Sequence, residues 1–146
     1  MYDIVKNLHS YWAYIVLIVL IVAVLNSIYK RVAKKEYNPL DFRIALFALI
    51  VSHLQLLIGI VLYFTSPRFS LFSSSGMGEI MKNAVDRLYL VEHPLINIIA
   101  IVLITMGYSK HKKKLTSTPK FSTIAVFYTI ALILFLSRIP WNTWMS

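Results

Sequence analysis

Cysteine is absent from all 146 residues, which removes disulfides, thiolate metal sites and covalent c-type haem attachment at once. Any metal or haem would have to be held by His, Met or carboxylate side chains. Acid is scarce as well: six Asp and Glu stand against fifteen Lys and Arg, a net charge of +9. Such an excess can mark a nucleic-acid binder. Here, however, ten of the fifteen cations fall in two short clusters between hydrophobic blocks, where they report membrane orientation instead. There is no internal repeat, no phosphate loop, no nucleophile beside a base and no separate soluble domain, so hydrolysis and group transfer are not expected. No small-residue cleavage site follows the first apolar block, and its polar start holds Asp3 and Lys6, so a cleavable signal peptide is not expected either.

What the chain does contain is apolar sequence in blocks. Hydrophobic residues make up 58% and charged residues 14%, too apolar for an average soluble domain, and the blocks run to about 20 residues, the length that crosses a bilayer. The expected fold is all-α, an integral membrane up-and-down four-helix bundle forming one domain over residues 1–146, with spans at about 8–30, 43–65, 86–108 and 121–141. Trp12 and Tyr14 read as interfacial anchors of the first span, and Trp141 and Trp144 as an aromatic belt after the fourth. The connection 30–43 carries Lys30, Arg31, Lys34, Lys35 and Arg43, the turn signal Asn38-Pro39 and a helix cap at Asp41. The connection 110–120 carries Lys110, Lys112, Lys113, Lys114 and Lys120, with a helix start at Thr118-Pro119. Both connections are expected on the cytoplasmic side, which puts both termini outside. The segment 66–78 reads as a Ser/Gly-rich loop, and 79–87 as a short amphipathic lead-in to the third span.

The third span is unusual because it places Glu92, His93 and Asn97 in hydrocarbon. An ionisable side chain there costs about 2.5–3.5 kcal/mol or more, so such residues face protein and have a partner. Counting about 1.5 Å per residue from the basic clusters, His53 lies about 15 Å in, Gly59 about 24 Å, His93 about 25 Å, Arg138 about 27 Å and His9 about 31 Å. Helical spacing gathers Asp86, Tyr89, His93, Asn97 and Ala100 on one stripe of the third span. Ser52, Gln55, Gly59 and Tyr63 form another on the second, with His53 turned about 100° from Ser52.

Two imidazoles facing each other across a four-helix bundle can hold a b-type haem without covalent attachment. His9 and His93 would be diagonal partners, and His53 with His93 is the competing pair. Arg138 would balance a haem propionate, Gly59 would let a flat ligand approach the backbone, and Glu92 or Asn97 would hold the second nitrogen of an axial imidazole. The plain reading of the same residues is structural: Glu92 and Arg138 as an interhelical ion pair, Asn97, Ser52 and Gln55 as interhelical hydrogen bonds, and His111 as a solvated residue in a lysine run. Met77, Met81, Met106 and Met145 fall at loops or block ends, which argues against a methionine ligand.

The strings Leu8-His-Ser10, Ser52-His-Leu-Gln-Leu-Leu-Ile-Gly59 with Tyr63, Val91-Glu-His-Pro94 leading to Ala100 and Gly107, and Arg138-Ile-Pro-Trp141 resemble small bacterial four-helix membrane proteins catalogued as cytochrome b-like. The resemblance supplies one motif per helix and covers nearly the whole chain. It implies a haem b, electron transfer in the bacterial cytoplasmic (inner) membrane, and His9, His53 and His93 as candidate axial ligands. The resulting expectation is a haem-binding electron-transfer subunit or accessory partner of a respiratory or periplasm-facing redox complex, with other membrane subunits and a quinone as partners. His93 is one expected ligand, and His9 is preferred to His53 as the other. The alternative expectation is a cofactor-free subunit or assembly factor that packs against a larger membrane complex.

Overall fold

The structure, a computed structural model, describes residues 1–144; Met145, set aside above as a ligand, lies outside the described residues. Most of the described residues are helical, and none forms a strand. Four helices are long and apolar enough to cross a membrane: Tyr2–Val32, Pro39–Thr65, Ala84–Lys112 and Ser117–Ser137. Their outward residues are also apolar, as at Ile18, Leu57 and Ile133, each about three-fifths exposed. In water such faces would be costly, whereas a lipid bilayer covers them without penalty.

Helix α1 (Tyr2–Val32) begins well before the expected position 8, because neither Gly nor Pro separates its polar start from its apolar body. Helix α2 (Pro39–Thr65) is started by a capping box. Asn38, not Asp41, is the cap: its side chain accepts from the amides of Leu40 and Asp41, and Asp41 answers by accepting from the Asn38 amide. Asp41 is buried and also takes the Asn26 amide at 2.9 Å and the Lys30 ammonium at 2.7 Å, so it ties the end of α1 to the start of α2.

The segment after α2 is not the open loop its composition suggested. A 3-10 turn (Pro67–Ser70) leads into three short helices, α3 (Leu71–Ser74), α4 (Gly76–Lys82) and α5 (Ala84–Arg87). Gly76 has φ +80°, a left-handed conformation that glycine adopts at no steric cost. A π-helical turn (Leu88–Glu92) then joins α5 to α6 (His93–Lys112). Pro94 accounts for this irregularity: it has no N–H for the Leu90 carbonyl, and its ring clashes with that carbonyl in a regular helix. The Tyr63 hydroxyl of α2 donates to the freed Leu90 oxygen at 2.8 Å. The wide turn breaks the expected stripe. Asp86 and Tyr89 turn to Arg68, as an ion pair at 2.8 Å and a cation–π contact at 4.3 Å, while His93, Asn97 and Ala100 stay together. Helix α7 (Ser117–Ser137) and the short α8 (Trp141–Trp144) complete the described chain.

Helix α1 packs against α2 and α7, and α6 packs against α7 and, less extensively, against α2. Their shared core includes Leu20, Ala48, Ala100, Ile104, Tyr128 and Ala131, all fully buried. Trp12, expected as an interfacial anchor, is instead packed against this core and donates its indole N–H to the Val51 carbonyl at 2.9 Å. Tyr14 stacks on Trp144 at 4.7 Å between ring centres. The Tyr128 hydroxyl donates to the Ala45 carbonyl at 2.8 Å across the core. Tyr128→Phe should cost about 1 kcal/mol, read as a lower midpoint in detergent unfolding with helix content unchanged.

The two basic connections meet at one end of the molecule. The Tyr37 amide donates to the Ser117 hydroxyl at 2.8 Å, the Tyr37 hydroxyl bonds His111 Nε2 at 2.8 Å, and Arg31 bonds Ser122. His111 is therefore not solvated, as its lysine-rich surroundings suggested: it is fully buried beneath Tyr37 and Phe42. Because the Tyr108 carbonyl can only accept, Nδ1 of His111 donates to it and Nε2 accepts from the Tyr37 phenol. Burial raises the Tyr37 phenol above its ordinary value of 10.0, and Asp41 and Tyr108 push in the same direction. A value raised in the folded state means that this group's stabilisation is intact below pH 10.0 and lost as the pH rises further. Above that pH, the thermal midpoint of the native chain should fall more steeply than that of Tyr37→Phe.

Candidate functional site: two facing imidazoles

At the end of the molecule opposite the basic connections, His9 of α1 and His93 of α6 come together with ring centres 6.2 Å apart and ring planes crossing at 78°. Helices α1 and α6 are diagonal to each other, since each packs mainly against α2 and α7.

His93 is oriented by a backbone carbonyl. Its Nδ1 lies 2.9 Å from the Arg138 oxygen, which can only accept, so Nδ1 carries the proton and Nε2 presents a lone pair. That oxygen is available because Arg138 caps the C-terminus of α7, where carbonyls have no partner within the helix, and Pro140 follows. The second nitrogen of His93 is thus held by the Arg138 carbonyl and not by Glu92, which pairs elsewhere. Asn97, one turn along α6, places its amide nitrogen 3.1 Å from Nε2 and 3.2 Å from Nδ1.

His9 is fixed from α2. Gln55 donates to the His9 carbonyl at 2.8 Å, and Gly59 lies directly against the imidazole: a Cβ there would stand 3.3 Å from His9 Cε1. The space above Gly59 therefore belongs to the His9 ring, not to a ligand approaching the backbone. Three polar atoms around the two rings are buried without a hydrogen-bond partner: His9 Nδ1, Gln55 Oε1 and Asn97 Oδ1. Buried polar atoms are usually satisfied; among the described residues Ser52 Oγ and Thr129 Oγ1 are also buried without a partner.

Glu92 is engaged elsewhere, with Arg87 at 2.9 Å and Arg138 at 3.7 Å. The ion pair named in the plain structural reading is present, and the second arginine leaves the trio with one net positive charge. His53 does not join the cluster. It is exposed on the outer surface between α2 and α6, with Nδ1 on the Leu49 carbonyl at 2.8 Å and Nε2 near Thr105. No group of three or more His, Asp or Glu side chains is gathered to hold a metal among the described residues.

The depth count already set Arg138 beside His93, where its carbonyl accepts from the imidazole and its guanidinium pairs with Glu92. Gln55 makes the interhelical hydrogen bond expected of it, with the His9 carbonyl as the partner that the sequence did not name. No family model, curated protein or solved structure matches the chain.

Proposed function

We propose that the chain is a membrane-embedded b-type haem protein that transfers electrons, with His9 and His93 as the axial ligands. The 6.2 Å separation of their ring centres carries the reading. Two imidazoles bound to one metal through nitrogen at about 2 Å place their ring centres about 6 Å apart. A bare ion with two imidazoles would lack further protein ligands here, whereas a porphyrin brings four nitrogens of its own. The neutral Nε2 of His93, with Nδ1–H held by a carbonyl, is in the state a ligating imidazole needs. Arg138, beside His93 and in a trio with a net positive charge, suits a haem propionate. When bound, such a haem would supply one-electron chemistry, and His9 and His93 would be the residues that hold it.

In this reading the helices form an up-and-down bundle in the bacterial cytoplasmic membrane. The joined basic connections lie on the cytoplasmic side, and both termini and the imidazole pair lie toward the outside. The clustering of lysines at one end supports that orientation, and the likeness to the cytochrome b-like proteins supports the cofactor. The partners would be other subunits of a redox complex and a quinone. The Glu92 ion pairs favour a second reading, a cofactor-free packing or assembly subunit, because they pair the partly exposed carboxylate without any ligand. The absorption spectrum of the detergent-purified chain decides between the two. A Soret band with split α and β bands on reduction is expected, and a featureless visible spectrum after expression with haem supplied would leave only the second reading.

A further inference from the structure

His53 is an imidazole on the outer surface of two apolar helices, and its hydrogen bonds leave it incomplete. Its Nδ1 lies 2.8 Å from the Leu49 carbonyl, an acceptor, so Nδ1 carries the proton and Nε2 of the neutral ring presents a lone pair. The nearest polar atom, Thr105 Oγ1 on α6, is 3.4 Å from Nε2, and the Thr105 proton is already donated to the Ile101 carbonyl at 2.8 Å. With the Thr105 proton on the nearer Ile101 carbonyl, the 3.4 Å contact leaves Nε2 without a short donor. Both side chains are exposed, and so are the apolar Leu57 and Val102 one turn away on the same helices. In hydrocarbon no water is at hand to donate, and an unmatched acceptor there is costly.

We propose that His53 and Thr105 form a lipid-facing site for a membrane-soluble hydroquinone, whose O–H donates to the lone pairs they present. Depth selects this occupant. His53 lies about 21 Å along α2 from Pro39 and about 18 Å from Thr65, near mid-span, below the level that phospholipid headgroup hydroxyls reach. A hydroquinone combines O–H donors with a tail that lets it enter at that depth, and the sparser packing between α2 and α6 leaves the site open to the side. Choosing a hydroquinone over another hydroxyl-bearing lipid rests on the electron-transfer reading, but binding itself does not require the haem.

The test uses the full chain with nitrogen-15-labelled histidine in lipid nanodiscs, kept reduced with dithionite and titrated with decyl-hydroquinone or with its dimethyl ether, which has the same ring and tail but no O–H. The hydroquinone should shift the His53 Nε2 resonance saturably, the ether should not, and Thr105→Val should weaken binding about three- to tenfold. Equal effects of hydroquinone and ether, no saturable shift, or an equal shift with a long-chain alcohol overturn the proposal. So does a His53 resonance already shifted without ligand and sensitive to dilution, which would mean a second copy of the chain fills the site. Repeating the titration on His93→Ala separates the two readings. A retained shift in a preparation whose wild type shows no Soret band refutes the haem reading alone, and a Soret band without a shift refutes this one alone.

Discussion

On the proposed haem reading, replacing His93 by alanine should abolish the Soret band of the haem-supplied protein, and His9→Ala should do the same, while His53→Ala should leave it in place. The prediction follows from position. His9 and His93 face each other at 6.2 Å between ring centres, whereas His53 lies on the outer surface and spends Nδ1 on its own helix. Either substitution would remove one of the two imidazoles that would hold the haem. Asn97→Ala should be milder, a ten- to hundredfold loss of affinity, as expected for groups that steer a ligand rather than ligate. Gly59→Leu approaches the site from behind. Even a Cβ there would stand 3.3 Å from the His9 ring, so a larger side chain should push His9 aside and cost haem without cost to helix content. Circular dichroism and titration of the visible spectrum with haem read all of these. Loss of the band in His53→Ala, or its survival in both other variants, would remove His9 and His93 from the ligand roles.

Gly107→Ala should be the most damaging small substitution in the chain. A Cβ at Gly107 would stand 2.5 Å from Phe127 Cβ and 3.0 Å from its Cγ. Phe127 Cβ is attached directly to the backbone of α7, so no rotamer change relieves the clash; α6 and α7 must move apart. That interface is the most extensive in the molecule, and overpacking of this kind costs about 1–3 kcal/mol. Phe127→Ala keeps the offending Cβ and should rescue Gly107→Ala only in part, whereas Phe127→Gly should rescue it better, as a double-mutant cycle in detergent unfolding would show. The same separation loosens the His93–Arg138 bond, which spans these two helices. Gly107→Ala should therefore weaken haem binding as well as the fold, although it lies on α6 about 21 Å from His93.

Much of the architecture was legible in residue type alone. Each apolar block became a helix long enough to span, and the two lysine-rich connections came to one end, where Tyr37 meets Ser117 and His111. The capping signal was read one turn late, at Asp41, because Asn38 and Asp41 cap reciprocally and either looks like the cap in isolation. His111 was misread for a different reason: flanking lysines describe the solvent side of a last helical turn, not the side on which Tyr37 and Phe42 close over the ring. Depth along the helices was a good guide, since it already ranked His93, Arg138 and His9 in the half of the molecule away from the lysines.

Hydropathy, block length and charge placement accumulate residue by residue along a chain, so the four apolar helices and the common end of their basic connections followed from the sequence by itself. Which imidazoles meet was decided only in three dimensions. It depends on the rotation of each helix about its own axis, and one residue of offset turns a side chain by about 100°. Pro94 introduces such an offset through the π turn before His93, the α6–α7 packing brings the unpaired Arg138 carbonyl to that ring, and the setting of α2 against α6 turns His53 outward.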